Sequence, residues 1–192
     1  MQHVGAILLS LAAAAAAVPA GNLQRAADTP FQMYAYGDGI GGLPVFSAGG
    51  DAFIGNFTKF NDPNAAPVTF TADNHIWQGT PNVTDSSSTP NWSNLTFSIP
   101  AEGASDNSAG FVNSTSASSD RLTDGFLTYG NVIFFASASG KMQSQWYATP
   151  STIDGIYALK WNATNDLSED KIILALKKTV PSTSLFPATP RV

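Results

Sequence analysis

The stretch Leu95-Thr96-Phe97-Ser98-Ile99 alternates apolar and polar residues at every position. Successive side chains on a β-strand point to opposite faces, so this pattern predicts a strand with one face against a core. Aromatic and β-branched residues are concentrated in other short segments, which glycine, proline and asparagine separate. The further predicted strands are 31–36, 45–48, 68–71, 126–129, 132–137, 145–147 and 156–161. Many short strands joined by turns predict an all-β fold, an antiparallel β-sandwich or barrel.

The segment 167–178 is compatible with two structures. Ser168-Glu169-Asp170 would suit the start of a helix, and Lys177-Lys178 would suit its end. The apolar run 172–176 also fits a buried final strand, which we favour. The segments 80–93 and 101–120 are rich in serine and asparagine and predict exposed loops.

Two parts of the chain resemble each other. Tyr36-Gly37 precedes the strand-like run 44–53, and Tyr129-Gly130 precedes the run 132–140. Each part then offers two more predicted strands, so the domain could consist of two pseudo-repeated halves. Hairpins resemble one another in general, so the pattern also fits two unrelated hairpins.

The N-terminal residues predict secretion. The apolar run 7–18 is shorter than the roughly 20 residues that span a bilayer, and the small residues Val18 and Ala20 suit cleavage before Gly21. The alternative is a buried alanine-rich helix. We expect a signal peptide over 1–20, a linker over 21–30, one all-β domain over 31–180 and a flexible proline-rich tail over 181–192.

Asparagine-X-serine/threonine sequons are more frequent than chance, which would give about two or three. Because an attached glycan requires solvent, their asparagines should lie outside the core. This excess agrees with secretion and predicts a glycoprotein. The predicted glycosylation sites are Asn56, Asn82, Asn91, Asn94, Asn113 and Asn162.

Charge and composition narrow the class of partner. The formal net charge is −5, and no basic cluster suggests binding to nucleic acid or to a membrane surface. The chain has no cysteine, which excludes disulfides and thiol chemistry. His75 is the one histidine after the predicted signal peptide, so we predict no metal site. The run 37–42 matches GxGxxG, but another predicted strand follows it instead of a helix, so no dinucleotide or other cofactor is predicted.

Exposed aromatic residues are the best candidates for a binding site. Indole rings pack against the C–H faces of sugars, and Trp92 lies inside a polar loop that bears two sequons. Trp77 is a second candidate, and Asp38 in the glycine-rich loop is a third ligand-binding candidate. Trp146 and Trp161 lie in strand patterns and are expected in the core.

Paired carboxylates would be needed for glycoside hydrolysis. Asp120 with Asp124 is one neighbouring set, and Asp166 with Glu169 and Asp170 is another. Both sets flank turns, where aspartate is favoured for local hydrogen bonding. We therefore assign no catalytic residue.

The runs FQMYAYGDGIGGLPVF (31–46), GFLTYGNVIFFASASGKMQSQWYA (125–148) and GIYALKWNAT (155–164) are similar to small secreted proteins of filamentous ascomycete fungi. The resemblance covers residues 31–178. It implies a fungal source and secretion, and since that group has no assigned reaction it implies no catalytic residue.

Three functions are open at this point. The favoured one is a non-catalytic secreted glycoprotein that binds a cell-wall polysaccharide or surface glycan through aromatic residues. A two-carboxylate carbohydrate-active hydrolase and a passive structural coat protein are the alternatives. The ligand and the oligomeric state do not follow from the sequence.

Overall fold

A computed structural model describes residues 29–85, 89–113 and 119–182, and in this part the protein is nearly all-β. The strands are β1 Tyr34–Gly37, β2 Ile40–Ala48, β3 Asp51–Gly55, β4 Ala66–Asp73, β5 Ile76–Pro81, β6 Leu95–Pro100, β7 Gly110–Val112, β8 Arg121–Leu122, β9 Phe126–Tyr129, β10 Val132–Ala136, β11 Met142–Gln143, β12 Trp146–Pro150, β13 Ile156–Trp161 and β14 Ile172–Lys177. Two short 3-10 helices cover Phe57–Lys59 and Val83–Asp85. The predicted all-β class is confirmed, and the architecture is a barrel.

Ten antiparallel strands of the described residues close the barrel. Their order is β1-β2-β4-β5-β6-β7-β3-β13-β12-β14, and β14 returns to β1. The long strand β2 also pairs with β3. Outside the ring, β8 pairs with β6, while β9, β10 and β11 form a small sheet that joins the barrel where β10 meets β14.

Strand β6 crosses the centre of the core. Phe97 and Ile99 are fully buried, and the Phe97 ring lies 4.9 Å from that of Phe126 and 5.4 Å from that of Phe111. The polar face of β6 is covered as well, because Ser98 is fully buried. Its hydroxyl donates to the Gly110 carbonyl and accepts from the Arg121 guanidinium. One face of β6 therefore packs in the aromatic core, and the other face makes a buried polar contact instead of facing solvent.

The segment 167–178 contains a strand, as favoured from its sequence. β14 pairs with β1 on one side and with β12 on the other, so Leu174 and Leu176 are buried. No helix begins at Ser168 in this segment; its backbone N–H and hydroxyl donate to the Asp166 carboxylate in a local turn, and a strand follows.

The prediction of a loop over 101–120 is partly wrong. Residues Gly110–Val112 form β7, which pairs with β6 and places Phe111 in the core. Three residues are too few to show the alternating pattern of a longer strand. The loop predicted over 80–93 overlaps the end of β5 and the 3-10 helix Val83–Asp85.

The two resembling parts of the chain do not contribute equally to the barrel. Seven of the ten ring strands precede residue 113, and three follow residue 145. The duplication stays a prediction. The predicted signal peptide, most of the linker and residues 183–192 of the predicted tail lie outside the described residues. Within the described ranges no helix has the length and apolarity needed to cross a bilayer.

Candidate functional site

The predicted binding residue Trp77 is a core residue. Its side chain is 1% exposed, with the Phe31 ring at 5.1 Å and the Phe126 ring at 5.5 Å. A platform for a sugar needs an open ring face, and the indole of Trp77 has none. The adjacent Ile76 is exposed because alternate residues of β5 face opposite sides.

Trp92 is half-buried, which corrects the expectation that its polar loop leaves it exposed. The indole Nε1–H donates to the Asn64 carbonyl at 2.8 Å, and the ring stacks with Phe111 at 6.2 Å between centroids. Asn64 also accepts the backbone N–H of Asn91 through its side chain. The loop is polar because it faces solvent, yet its tryptophan points inward and fastens it to the core.

Asp38 is exposed in the turn between β1 and β2, where Gly39 has a φ of 67°. A left-handed residue in a two-residue hairpin turn explains the glycine there. The run 37–42 thus forms a hairpin, and Ile40 begins the strand that was expected after the glycine loop.

The six sequon asparagines all lie outside the core. Asn56, Asn91, Asn94 and Asn113 are exposed, whereas Asn82 and Asn162 are half-buried. This placement leaves each of them compatible with an attached glycan.

Three open grooves of about 410 Å³ each lie on the described surface. This volume falls in the range of about 300–1,000 Å³ that small-molecule sites occupy, so the lining must distinguish them. In two grooves a lysine covers the aromatic ring: Lys177 Nζ lies 4.9 Å from the Tyr36 centroid, and Lys178 Nζ lies 3.9 Å from the Phe31 centroid. Their aromatic faces are thereby occupied by cation–π contacts.

The third groove has an apolar floor. Pro100 from β6, Leu122 from β8, Phe135 from β10 and Trp161 from β13 line it, and we name it the Trp161 groove. Trp161 and Phe135 are each 6% exposed, so only a small part of each side chain reaches the groove. The Trp161 ring lies 4.5 Å from that of Trp146, which fixes the floor to the barrel core.

The rim of the Trp161 groove carries neutral polar groups. Gln143, Gln145, Asn162 and Thr164 lie along it, and Glu102 is the one charged residue of its lining. Thr164 Oγ1 donates to Gln145 Oε1 at 3.1 Å, and Gln145 Nε2 donates to Gln143 Oε1 at 2.7 Å. This chain of hydrogen bonds ends on the Gln143 amide, whose Nε2 has no protein acceptor within the described residues and keeps two N–H donors.

The amino-acid sequence gives little sign of this groove. Gln143 and Gln145 are two residues apart, and residues two apart in an extended segment share a face. That spacing was the available signal. It is weak, because the third partner, Thr164, comes from a loop after another strand.

A separate charged cluster surrounds Asp51. Asp51 and Asp106 are both exposed, but neighbouring groups remove part of the water around each carboxylate. This desolvation, followed by repulsion from Asp106, raises the pKa of Asp51. Desolvation would raise the pKa of Asp106 as well, but hydrogen bonds from Ser108 and the charge of Lys160 lower it. Lys160 Nζ lies 3.5 Å from the Asp106 carboxylate. These two carboxylates, 55 positions apart in sequence, were not among the predicted pairs.

The acids that neighbour one another in the sequence have other surroundings. Asp166 accepts hydrogen bonds from Ser168 and Tyr147, which together lower its pKa. Tyr147 is fully buried, and burial raises the pKa of its hydroxyl. Asp166 therefore anchors the loop before β14 to the barrel wall.

Asp120 and Asp124 are exposed on either side of β8. Among the described residues no three histidine or acidic side chains converge in a way that could hold a metal ion.

The fold and site define an all-β barrel with a neutral, polar-rimmed groove at one side. Comparisons with protein-family models, with curated proteins and with solved structures found no match to this chain. Its function must therefore be argued from the groove itself.

Proposed function

We propose that this protein is a secreted, N-glycosylated protein that binds a cell-wall polysaccharide or surface glycan in the Trp161 groove without catalysis. Secretion is supported by the N-terminal apolar run and by the excess of sequons. Because Trp92 and Trp77 face inward, we propose the groove, and not these two residues, as the glycan-binding site.

The observation that carries the proposal is the neutral hydrogen-bonding rim above an aromatic floor. Sugar hydroxyls both donate and accept hydrogen bonds, which suits the amides of Gln143 and Gln145. The exposed part of Trp161 adds a small apolar surface to the floor, which suits contact with a sugar C–H group but offers no open ring face for stacking. A groove with one exposed acid, Glu102, presents little charge to an anionic or cationic ligand.

Co-sedimentation of the secreted protein with chitin, β-glucan, cellulose and mannan tests the proposal. Gln143→Ala should weaken binding about 2- to 10-fold, which corresponds to the loss of one neutral hydrogen bond. Gln78→Ala is the matched control, because Gln78 is an exposed glutamine on β5 that does not line the groove. Equal binding by the two variants and the wild type would place the ligand elsewhere.

A two-carboxylate hydrolase is the second candidate, and Asp51 with Asp106 is the observation that favours it. A glycosidase needs one protonated and one ionised acid, and the pKa values of these two groups move in opposite directions. Reducing sugar released in the same tubes would support it, provided that Asp51→Asn abolishes the release. If the protein shows no binding and releases no sugar, the passive coat protein is the remaining candidate.

A further inference from the structure

Asn162 connects the predicted glycosylation to the Trp161 groove. It directly follows Trp161, lines the groove and is half-buried. Among the sequons Asn56, Asn82, Asn91, Asn94, Asn113 and Asn162, it alone belongs to this groove. Its side-chain amide makes no hydrogen bond within the described residues, so Nδ2 is available to carry a sugar.

The backbone fixes where such a sugar would start. Asn162 has a φ of 73°, and its carbonyl accepts the Asn165 N–H at 3.0 Å, which closes a tight turn. The Ala163 N–H donates to the Gln145 carbonyl at 3.1 Å, so the turn is bound to the neighbouring segment of the same rim. Because Asn162 and Gln145 both line the groove, a sugar on Asn162 would begin at the groove's rim near Gln145.

We propose that the N-linked glycan of Asn162 occupies the Trp161 groove and competes there with free glycan. This inference rests on the proposed secretion and glycan binding. The first two sugars of an N-linked glycan are β-1,4-linked N-acetylglucosamine. A groove that holds them is suited to the same unit in chitin, which names the class of free ligand.

The size of the competition follows from the tether. A short covalent link gives an effective concentration in the millimolar range. The attached glycan raises the apparent dissociation constant for free ligand by a factor of one plus a ratio. That ratio is the effective concentration of the attached sugar divided by the dissociation constant with which the groove binds it. Even if that constant is itself millimolar, removing the glycan strengthens binding at least about twofold.

Asn162→Gly is the test variant, because glycine accepts the left-handed backbone and cannot be glycosylated. Asn94→Gly is the matched control. Asn94 also has a left-handed backbone, with a φ of 53°, and it is an exposed sequon asparagine away from the groove. Both proteins and the wild type are produced in a glycosylating host, and binding of soluble N-acetylglucosamine oligomers is titrated.

Tighter binding by Asn162→Gly, with the control equal to wild type, is the expected result. If all three proteins bind equally, or if mass spectrometry finds Asn162 unmodified in the wild type, the inference is wrong while the proposed function stands. If none binds, the proposed function fails in its chitin form, and the inference is decided by a second readout.

The second readout is release of glycans from the folded wild-type protein by an endoglycosidase. The Asn162 glycan should be released several-fold more slowly than the Asn94 glycan, because the groove shields its first two sugars. Gln143→Ala should remove part of that protection. Equal rates at Asn162 and Asn94 would overturn the inference regardless of any external ligand.

Discussion

Trp92→Ala distinguishes a structural tryptophan from a sugar platform. The substitution removes the hydrogen bond from Nε1 to the Asn64 carbonyl, worth about 0.5–1.5 kcal/mol net. It also removes the stacked contact with Phe111, worth about 0.5–1.5 kcal/mol beyond buried area. The sum is a loss of about 1–3 kcal/mol in the free energy of unfolding. For a domain of this size, each kcal/mol moves the melting temperature about 2–4 °C, so a central value of about 2 kcal/mol lowers it about 4–8 °C.

Thermal unfolding followed by circular dichroism measures this shift. Trp92 is the middle residue of the sequon at Asn91, so a substitution there could change glycosylation. The Trp92 variants and the reference protein that keeps Trp92 should therefore all carry Asn91→Gln. Trp92→Phe is the graded control: it keeps an aromatic ring near Phe111 and loses the N–H donor, so its loss should be about half as large. An unchanged melting temperature in Trp92→Ala, together with lost binding to polysaccharide, would refute the structural assignment.

Two further predictions concern polar contacts. Arg121→Lys should lower the free energy of unfolding by about 1.5–3 kcal/mol, because lysine cannot reproduce the forked hydrogen bonds to Ser98 and Ser108. Urea denaturation measures this loss, and an unchanged midpoint would contradict the prediction. Hydrogen bonds hold the pKa of Asp166 below its ordinary value. Its carboxylate therefore stabilises the fold at pH values above the unfolded-state pKa of about 4, and this stabilisation is lost as the pH falls toward the folded-state pKa. Asp166→Asn should therefore melt below the wild type at pH 7, with a difference that shrinks below pH 4, and a constant difference would count against it.

The sequence predicted the fold class because strand patterns are local. The alternation in 95–99 specifies a strand without reference to the rest of the chain, and the apolar run in 172–176 favours one over a helix. Strand order is not local. That Asp51 and Asp106 interact follows only once β3 pairs with β7, so no spacing rule applied to neighbouring acids could find them.

Trp92 shows why polarity around a residue does not predict its exposure. The serines and asparagines near it describe the solvent side of the loop. The indole faces the other side, where the Asn64 carbonyl and the Phe111 ring receive it. Whether a loop residue points inward depends on what lies beneath the loop, and here that is β7, which the sequence analysis had assigned to a loop.

The groove and the core depend on the same strand register. Trp146 on β12 lies directly opposite Trp161 on β13, and their rings make an edge contact. The residues next to this pair, Gln145 and Asn162, are consequently brought together at the rim. A slip of one residue would turn every side chain of a strand to its other face, which would expose a tryptophan and separate the two rim residues. The energy of burying two indoles thus also fixes the polar rim, so a binding surface built there needs no stabilising contacts of its own.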